Sequence, residues 1–357
     1  MTDGRAAAPR CEVVVRLLGG LGNQLFQYAA GRAVAESTGG RLLLDAALLG
    51  APASAGTAQR RFALERLGLT AIDDAIAEPA AATGHTLAER VLTTRGLWRA
   101  MRLLRRSRLR IGSTLGCFDR MDGAPPAPIP ADVRRVVLTG YWQSRRCFAP
   151  IEPALRTELL ARFGAAASEP GAARAAEATR REGSRGAASA PAAPSSEEAA
   201  TAALHVRRGD YLDPRVARVH PPLPAHYYRD ALLAIAARRP ISKARLFSDD
   251  PARAQAELEA VGIPVPVEAG SAAGSGALDD LVAMSRCGAL VTANSSLSWW
   301  AAWLMEARAG IAGHGSDGGR GENGGIVVAP DPWFGPAGAS FAHPAPPEWM
   351  RTTWRHP

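Results

Sequence analysis

Between Ala165 and Thr201 the chain holds almost nothing but Ala, Glu, Arg, Ser, Gly and Pro, and no large apolar side chain. A segment of that composition cannot bury a core. It therefore divides the 357-residue chain into parts that must each fold around a core of their own. Its first part has the composition of a solvated helix, and the rest reads as a flexible linker. Length agrees, since roughly 150 residues per domain gives about two domains. The expected organisation is one domain over 1–164, a linker over 165–201 and a second domain over 202–357.

Both flanking parts alternate strand and helix. Cys11 to Leu18 reads as a buried strand, followed by "GGLGNQ", a helical pattern from Leu25 to Thr38, a stop at Gly39 and Gly40, and the strand "RLLLD". This is a βαβ unit, and Val136 to Thr139 reads as another strand. After the linker, strands fall near Leu204, Leu246, Val265, Leu290 and Val327, and helices begin near Ala225, Pro251, Ala277 and Leu297. That order predicts a doubly wound α/β domain. The stretch Gly313 to Gly325 is so rich in glycine that it reads as a surface loop.

Several classes are set aside by composition. The formal net charge is +8, and Lys243 is the one lysine among the basic residues. Arginine suits bidentate binding of phosphate and carboxylate. Genomic base composition accounts for the bulk arginine count equally well. No helix-turn-helix, zinc-finger or RNP pattern supports nucleic-acid binding. Cys11, Cys117, Cys147 and Cys287 lie far apart, against a structural zinc site and a disulfide framework. No apolar run approaches the roughly 18 residues of a membrane span, and the first residues lack an apolar core of the signal-peptide kind. The expectation is a cytoplasmic chain with no signal peptide or transmembrane helix.

Residues 87–110 read as a basic helix, with eight arginines from Arg90 to Arg110 and no acid among them. Leu97, Trp98, Met101 and Leu104 form one face, and Arg95, Arg99, Arg102 and Arg106 another. Two readings stand: a helix packed by its apolar face with solvated arginines, or peripheral contact with an anionic membrane.

The chemistry gathers at strand ends. In "LHVRRGDYL" side chains alternate, so His205 and Arg207 share a face and Arg208 takes the other. Ligands of open α/β sheets sit beyond the carboxyl ends of the strands. Arg207 is thus the candidate anion ligand, with His205 beside it. Arg208 reads as the partner of a structural carboxylate. In "VTANSSLSWW", Asn294, Ser295 and Ser296 fall at a helix start, where free N–H groups bind anions; plain N-capping by Ser296 is the other reading. Trp299, Trp300 and Trp303 read as core. In "LFSDDP", Asp250 before Pro251 reads as an N-cap, leaving Asp249 freer to accept from a base or ribose. In "GGLGNQ", Gly20 and Gly22 match the dinucleotide fingerprint, but Leu25 stands at its third glycine, which disfavours a dinucleotide site. Asn23 and Gln24 remain donor candidates there.

Taken together, "GGLGNQLFQYAAGRAVA", "RRFALERLGL", "GYWQSRRCF", "LHVRRGDYL", "HYYRDAL", "LFSDDP", "MSRCGALVTANSSLSWWAAWL" and "VVAPDPWF" resemble glycosyltransferase family 11, the bacterial-type α-1,2-fucosyltransferases. The resemblance covers most of the chain outside 71–133, the linker and the glycine loop. It implies a GT-B-like α/β fold, two facing Rossmann-like doubly wound domains with a cleft between them. The N-terminal domain is then the acceptor side and the C-terminal domain binds the donor. It further implies GDP-L-fucose as donor, the 2-hydroxyl of a terminal galactoside as acceptor, inversion, and neither cofactor nor metal.

By the same resemblance the H-x-R-R motif of His205, Arg207 and Arg208 holds the diphosphate, and Asn294, Ser295 and Ser296 add a phosphate contact. Asp249 meets the guanosine, and Gly22 and Asn23 belong to a loop closing on the donor; Gly20 and Gln24 beside them stand as further substrate-binding candidates. Asp210 is the first choice of general base, or else the orienting partner of Arg207 or Arg208; Asp45 is the second choice. Expected partners are GDP-L-fucose and a galactose-terminated or lipid-linked glycan, with membrane contact through 90–110 and no nucleic acid. Two other classes stand beside this: a nucleotide-sugar transferase with another donor or acceptor, and an arginine-rich binder of anionic lipid or nucleic acid.

Overall fold

In a computed structural model the chain is described over residues 11–47, 49, 60–69, 91–92, 95–104, 106–168, 195–271, 275–312 and 325–355. These fall into two units, which divide between Glu152 and Pro153. Both are α/β, as expected.

In the first unit, β1 (Glu12–Arg16) is followed by α1 (Leu21–Thr38) and β2 (Arg41–Asp45). Gly39 ends α1 at φ 58°, in the left-handed region that glycine enters without strain. The helix begins four residues earlier than the apolar pattern indicates, so Gly22, Asn23 and Gln24 lie in its first turn. β3 (Arg108–Ile111), β4 (Thr114–Phe118) and β5 (Arg135–Thr139) complete a sheet of order β2-β1-β5-β4-β3, parallel except for β3.

The expected basic helix over 87–110 is corrected here. Only α2 (Arg95–Leu103) and the helical pair Val91–Leu92 occur among its described residues, and Arg108–Ile111 is a strand. The hairpin turns at Gly112 and Ser113, with Ile111 opposite Thr114, and Gly112 has φ 60°. A two-residue hairpin loop calls for left-handed backbone, and glycine supplies it. Leu97, Trp98 and Met101 pack with Leu92 and Phe118, but Leu104 lies beyond the helix end and is exposed.

The second unit opens with α3 (Glu152–Ser168), which the sequence assigned to the first domain and the linker. Arg156 of α3 lies over the Trp303 ring and pairs with Glu306, which ties this helix to the second unit. The end of the linker is also structured. Ser195 caps the short helix Ser196–Ala199 in a reciprocal capping box with Glu198, and a strand starts at Thr201. Residues 169–194 and 313–324 lie outside the described residues.

From there the elements run β6 (Thr201–Val206), α4 (Ala225–Ala236), β7 (Lys243–Ser248), α5 (Pro251–Ala260), β8 (Val267–Ala269), α6 (Ala277–Arg286), β9 (Ala289–Val291), α7 (Ser296–Ala312), β10 (Ile326–Asp331) and β11 (Met350–Thr353). The strand order is β11-β10-β9-β6-β7-β8, every neighbouring pair parallel. Counted within the unit, this is the 3-2-1-4-5-6 order of the dinucleotide-binding folds. Trp299, Trp300 and Trp303 are fully buried, as expected of core, and Asp250 accepts from Arg253 N–H as the expected N-cap of α5.

Candidate active site

The strand order of the second unit reverses between β6 and β9. The chain leaves β6 toward β7 on one side and leaves β9 toward β10 on the other. Loops at such a point diverge, and the crevice left beyond the carboxyl ends is where these sheets take ligands. "HVRRGD" spans the carboxyl end of β6 and "TANSS" follows β9, so the two motifs singled out in the sequence flank this point together.

Arg207 stands one residue past the end of β6. Asp210 hydrogen-bonds one side of its guanidinium, and Asp249, past the end of β7, pairs with it at 3.1 Å. The Tyr211 ring lies 5.0 Å below. Burial opposes the Arg207 charge, but Tyr211, Asp249 and Asp210 outweigh it and raise its pKa. A guanidinium gripped on two sides is held in one orientation before any ligand arrives. Asp249 is therefore less free than the sequence suggested. It also accepts from Arg208 N–H at 2.8 Å.

Around this arginine, polar atoms lack partners. Nδ1 of His205, Nε of Arg207, Oγ1 of Thr292, Oδ1 of Asn294 and Nδ1 of His220 are buried without a hydrogen bond among the described residues. Leaving such a group unmet costs about 1–3 kcal/mol each. Buried polar groups are otherwise almost always satisfied, so a concentration beyond the carboxyl ends of the central strands marks a site that a polar ligand completes. Burial, with Arg207 adding to it, lowers His205 to about 3, so its ring is neutral. Asn294 holds its place by donating to Pro221 O, and its own carbonyl accepts from Tyr211 Oη. The cap of α7 is Ser295, not Ser296: Ser295 O accepts from Trp299 N–H, and its Oγ accepts from Leu297 N–H. Ser296 is the first helical residue.

Two of the predicted ligands are structural. Arg208 is buried and spends its guanidinium on Glu257 (2.7 Å), Leu223 O and Arg207 O. It fixes the loop after β6 to α5 and faces away from the site, as alternation required. Gln24 is fully buried, donates to Gly19 O and Arg61 O, and accepts from Ala63 N–H. It fastens the segment around residues 61–63 to the start of α1. Asn23 accepts from Gln143 at 2.7 Å, joining the ends of β1 and β5, where the first sheet reverses its own order. Gly20 is the uncapped N-cap of α1, and Gly22 is buried in its first turn. Asp45 pairs with Arg16 at 3.4 Å and accepts from Ala47 N–H.

Sequence reasoning missed Tyr211 and His220. The His220 ring stacks on Tyr211 at 5.6 Å and meets Phe334 at 5.4 Å. Burial lowers it to about 4, with Asp210 opposing and Arg207 reinforcing. Tyr211 had a signal, an aromatic two residues beyond the strand-end glycine. His220 had none, because its place depends on the loop after β10 that carries Phe334.

Residues 195–312 match the family description "Glycosyl transferase family 11". That stretch of the chain is thus similar to glycosyltransferase family 11. It contains both motifs at the switch point. The chain is also similar to the O-antigen biosynthesis glycosyltransferase WbnK of Escherichia coli, 35% identical over 109 residues, 30% of this chain and 35% of that protein. An alpha-1,2-colitosyltransferase of Escherichia coli is 27% identical over 155 residues, 42% of this chain and 47% of the relative. The chain thus spans between a third and a half of these relatives. Among solved structures it resembles the NodZ alpha-1,6-fucosyltransferase soaked with GDP-fucose, at 14% identity and TM-score 0.41, covering 82% of this chain and 92% of that one. POFUT1 in complex with GDP aligns over 87% of this chain and 97% of that one, at 10% identity and TM-score 0.39. No helix among the described residues is long and apolar enough to cross a membrane.

Proposed function

We propose that this protein transfers L-fucose from GDP-L-fucose to the 2-hydroxyl of a terminal galactoside, with inversion and without metal. One observation carries the reading. Arg207 is held by two carboxylates at the switch point of a 3-2-1-4-5-6 sheet, amid buried polar atoms that lack partners. Two sheets, one parallel but for β3 and one parallel throughout, each with a switch point, suit the parts of a GT-B enzyme, and that assignment belongs to the same proposal.

An inverting transfer is one displacement. The acceptor oxygen attacks the anomeric carbon as the bond to the β-phosphate breaks, and negative charge grows on the departing diphosphate. A fixed guanidinium meets that charge without reorganising, and so lowers the barrier. In this proposal Arg207 takes the diphosphate. The start of α7 at Ser295 and Ser296 gives it N–H groups. Asn294, Thr292, His205 and His220 offer the unmet polar atoms that line it. Asp210 and Asp249 position Arg207; the ion pair gives Asp210 that task rather than proton transfer.

The similarity to a colitosyltransferase favours one second reading, transfer of a related deoxysugar by the same chemistry. The experiment that decides is GDP release from GDP-fucose by the purified chain in EDTA, with and without β-galactosides, and with mass analysis of the product. Release that rises with the galactoside, and a product gaining one deoxyhexose, supports the proposal. GDP binding with no fucose transfer, but transfer from activated colitose, supports the second reading. Failure of GDP to bind a folded chain overturns both.

A further inference from the structure

Six large apolar residues are exposed among the described residues, and four of them, Val91, Leu103, Leu104 and Ile111, fall between positions 91 and 111. Leu103 and Leu104 are 82% and 67% exposed at the end of α2. The surrounding sequence carries no acid from Arg90 to Phe118. On α2, Arg99 and Leu103 stand four residues apart, hence on one exposed face. Arg102 lies over the Trp98 ring at 5.6 Å, and the exposed Arg106 follows the leucines. Arg110 is neutralised by Asp132 and takes no part.

We infer that this surface, Leu103 and Leu104 flanked by Arg99, Arg102 and Arg106, docks the protein on an anionic lipid bilayer. Adjacent leucines left in water are unfavourable, and an arginine collar explains them only if the covering surface is both apolar and negative. A bilayer rich in anionic phospholipid offers both within a few ångströms of depth: acyl chains for the leucines and phosphates for the guanidinium groups. The opposite face of α2 is already used, since Leu97, Trp98 and Met101 pack into the unit. The leucines are therefore not core residues awaiting a fold partner. A second copy is a poor cover, because a self-complementary contact would set arginine against arginine. Nucleic acid would engage the arginines and leave the leucines unexplained.

The test is flotation of the full chain with vesicles of phosphatidylcholine alone or with about a third phosphatidylglycerol. The inference expects binding to the anionic vesicles only, weakening with added salt. Arg99→Gln with Arg106→Gln should lower partitioning roughly 25-fold, from about fivefold per arginine at such a surface. Leu103→Ser with Leu104→Ser should weaken it at low salt also. These side chains are exposed, so the thermal midpoint and GDP binding should stay unchanged, and GDP binding reports the proposed function separately. Equal flotation with neutral vesicles, or indifference to the leucine changes, would overturn the inference. So would retention on DNA that ignores those leucines, or concentration-dependent self-association that they abolish.

Discussion

A single guanidinium carries the chemical case, and its surroundings say how replacements should behave. Arg207 contacts Asp210 and Asp249 with different nitrogens, so its fork is used before substrate binds. Lysine keeps the charge but has no plane and no second nitrogen. Arg207→Lys is therefore expected to lose roughly 10²-fold or more in turnover, close to Arg207→Ala, because removing one such donor costs about 3–4 kcal/mol. Turnover within a few-fold of the parent in the lysine variant would defeat the assignment. Asp210→Asn separates two tasks. A positioning role predicts weaker GDP-fucose binding together with slower turnover, since the arginine loosens in both ground and transition states. A base would lose turnover at unchanged donor affinity. Strand alternation made the opposite placement of Arg207 and Arg208 legible in the sequence, and the structure turns Arg207 toward Asp210 and Asp249 and Arg208 toward Glu257. Alternation gave no way to see Glu257 beneath Arg208, or that the amide of Gln24 is consumed by Arg61 and Ala63. Such partners lie dozens of residues away and obey no local period.

Glycines decide how closely elements approach, and two of them make opposite demands. Gly31 of α1 faces β1 and β2, where an added Cβ would come within 2.3 Å of Val15 Cγ2 and 2.8 Å of Leu42 Cδ1. Gly164 of α3 has no atom within 4 Å of that position. Alanine normally improves a helix by about 1 kcal/mol over glycine. Gly164→Ala is expected to stabilise by up to that amount. Gly31→Ala is expected to destabilise by about 1–3 kcal/mol, because the helix must lift from the sheet. Denaturant titration of both variants checks the signs; a more stable Gly31→Ala would show that α1 does not pack as described. Regular elements with unbroken periods, such as α4, α5 and α6, were readable at their starts. The hairpin at Arg108–Phe118 was not. Its arginines are good helix formers and continue a helical pattern, and only Gly112 marked the turn. The early start of α1 was hidden for the related reason that Gly20 and Gly22 are poor helix formers.

Each unit has its own sheet and core, so the acid response of the second unit can be argued from its own buried histidines. The low-complexity segment read as the divider between two parts, whereas the two compact units divide between Glu152 and Pro153, a place composition could not give. α3 begins on an ordinary amphipathic pattern, and it joins the second unit through Arg156, Trp303 and Glu306. Within that unit His205 and His220 are held neutral by burial, at about 3 and about 4 against the usual 6.5. The charges facing them are Arg207 for His205, and Asp210 and Arg207 for His220. Unfolded, each takes up a proton near pH 6.5; folded, each does so only well below pH 5. Between those limits the unfolded chain binds more protons, so stability falls as pH falls. One group shifted this far contributes about 2 kcal/mol between pH 7 and 5, hence about 4 kcal/mol for the pair. Most carboxylates remain ionised across that window and add little slope. His220→Asn should cost stability at pH 7, yet lose about 2 kcal/mol less than the parent on acidification. Denaturant midpoints at the two pH values measure this. Parallel losses in parent and variant would mean that His220 is already open to protons in the folded chain, and that the ring between Tyr211 and Phe334 is not sealed as its stacking indicates.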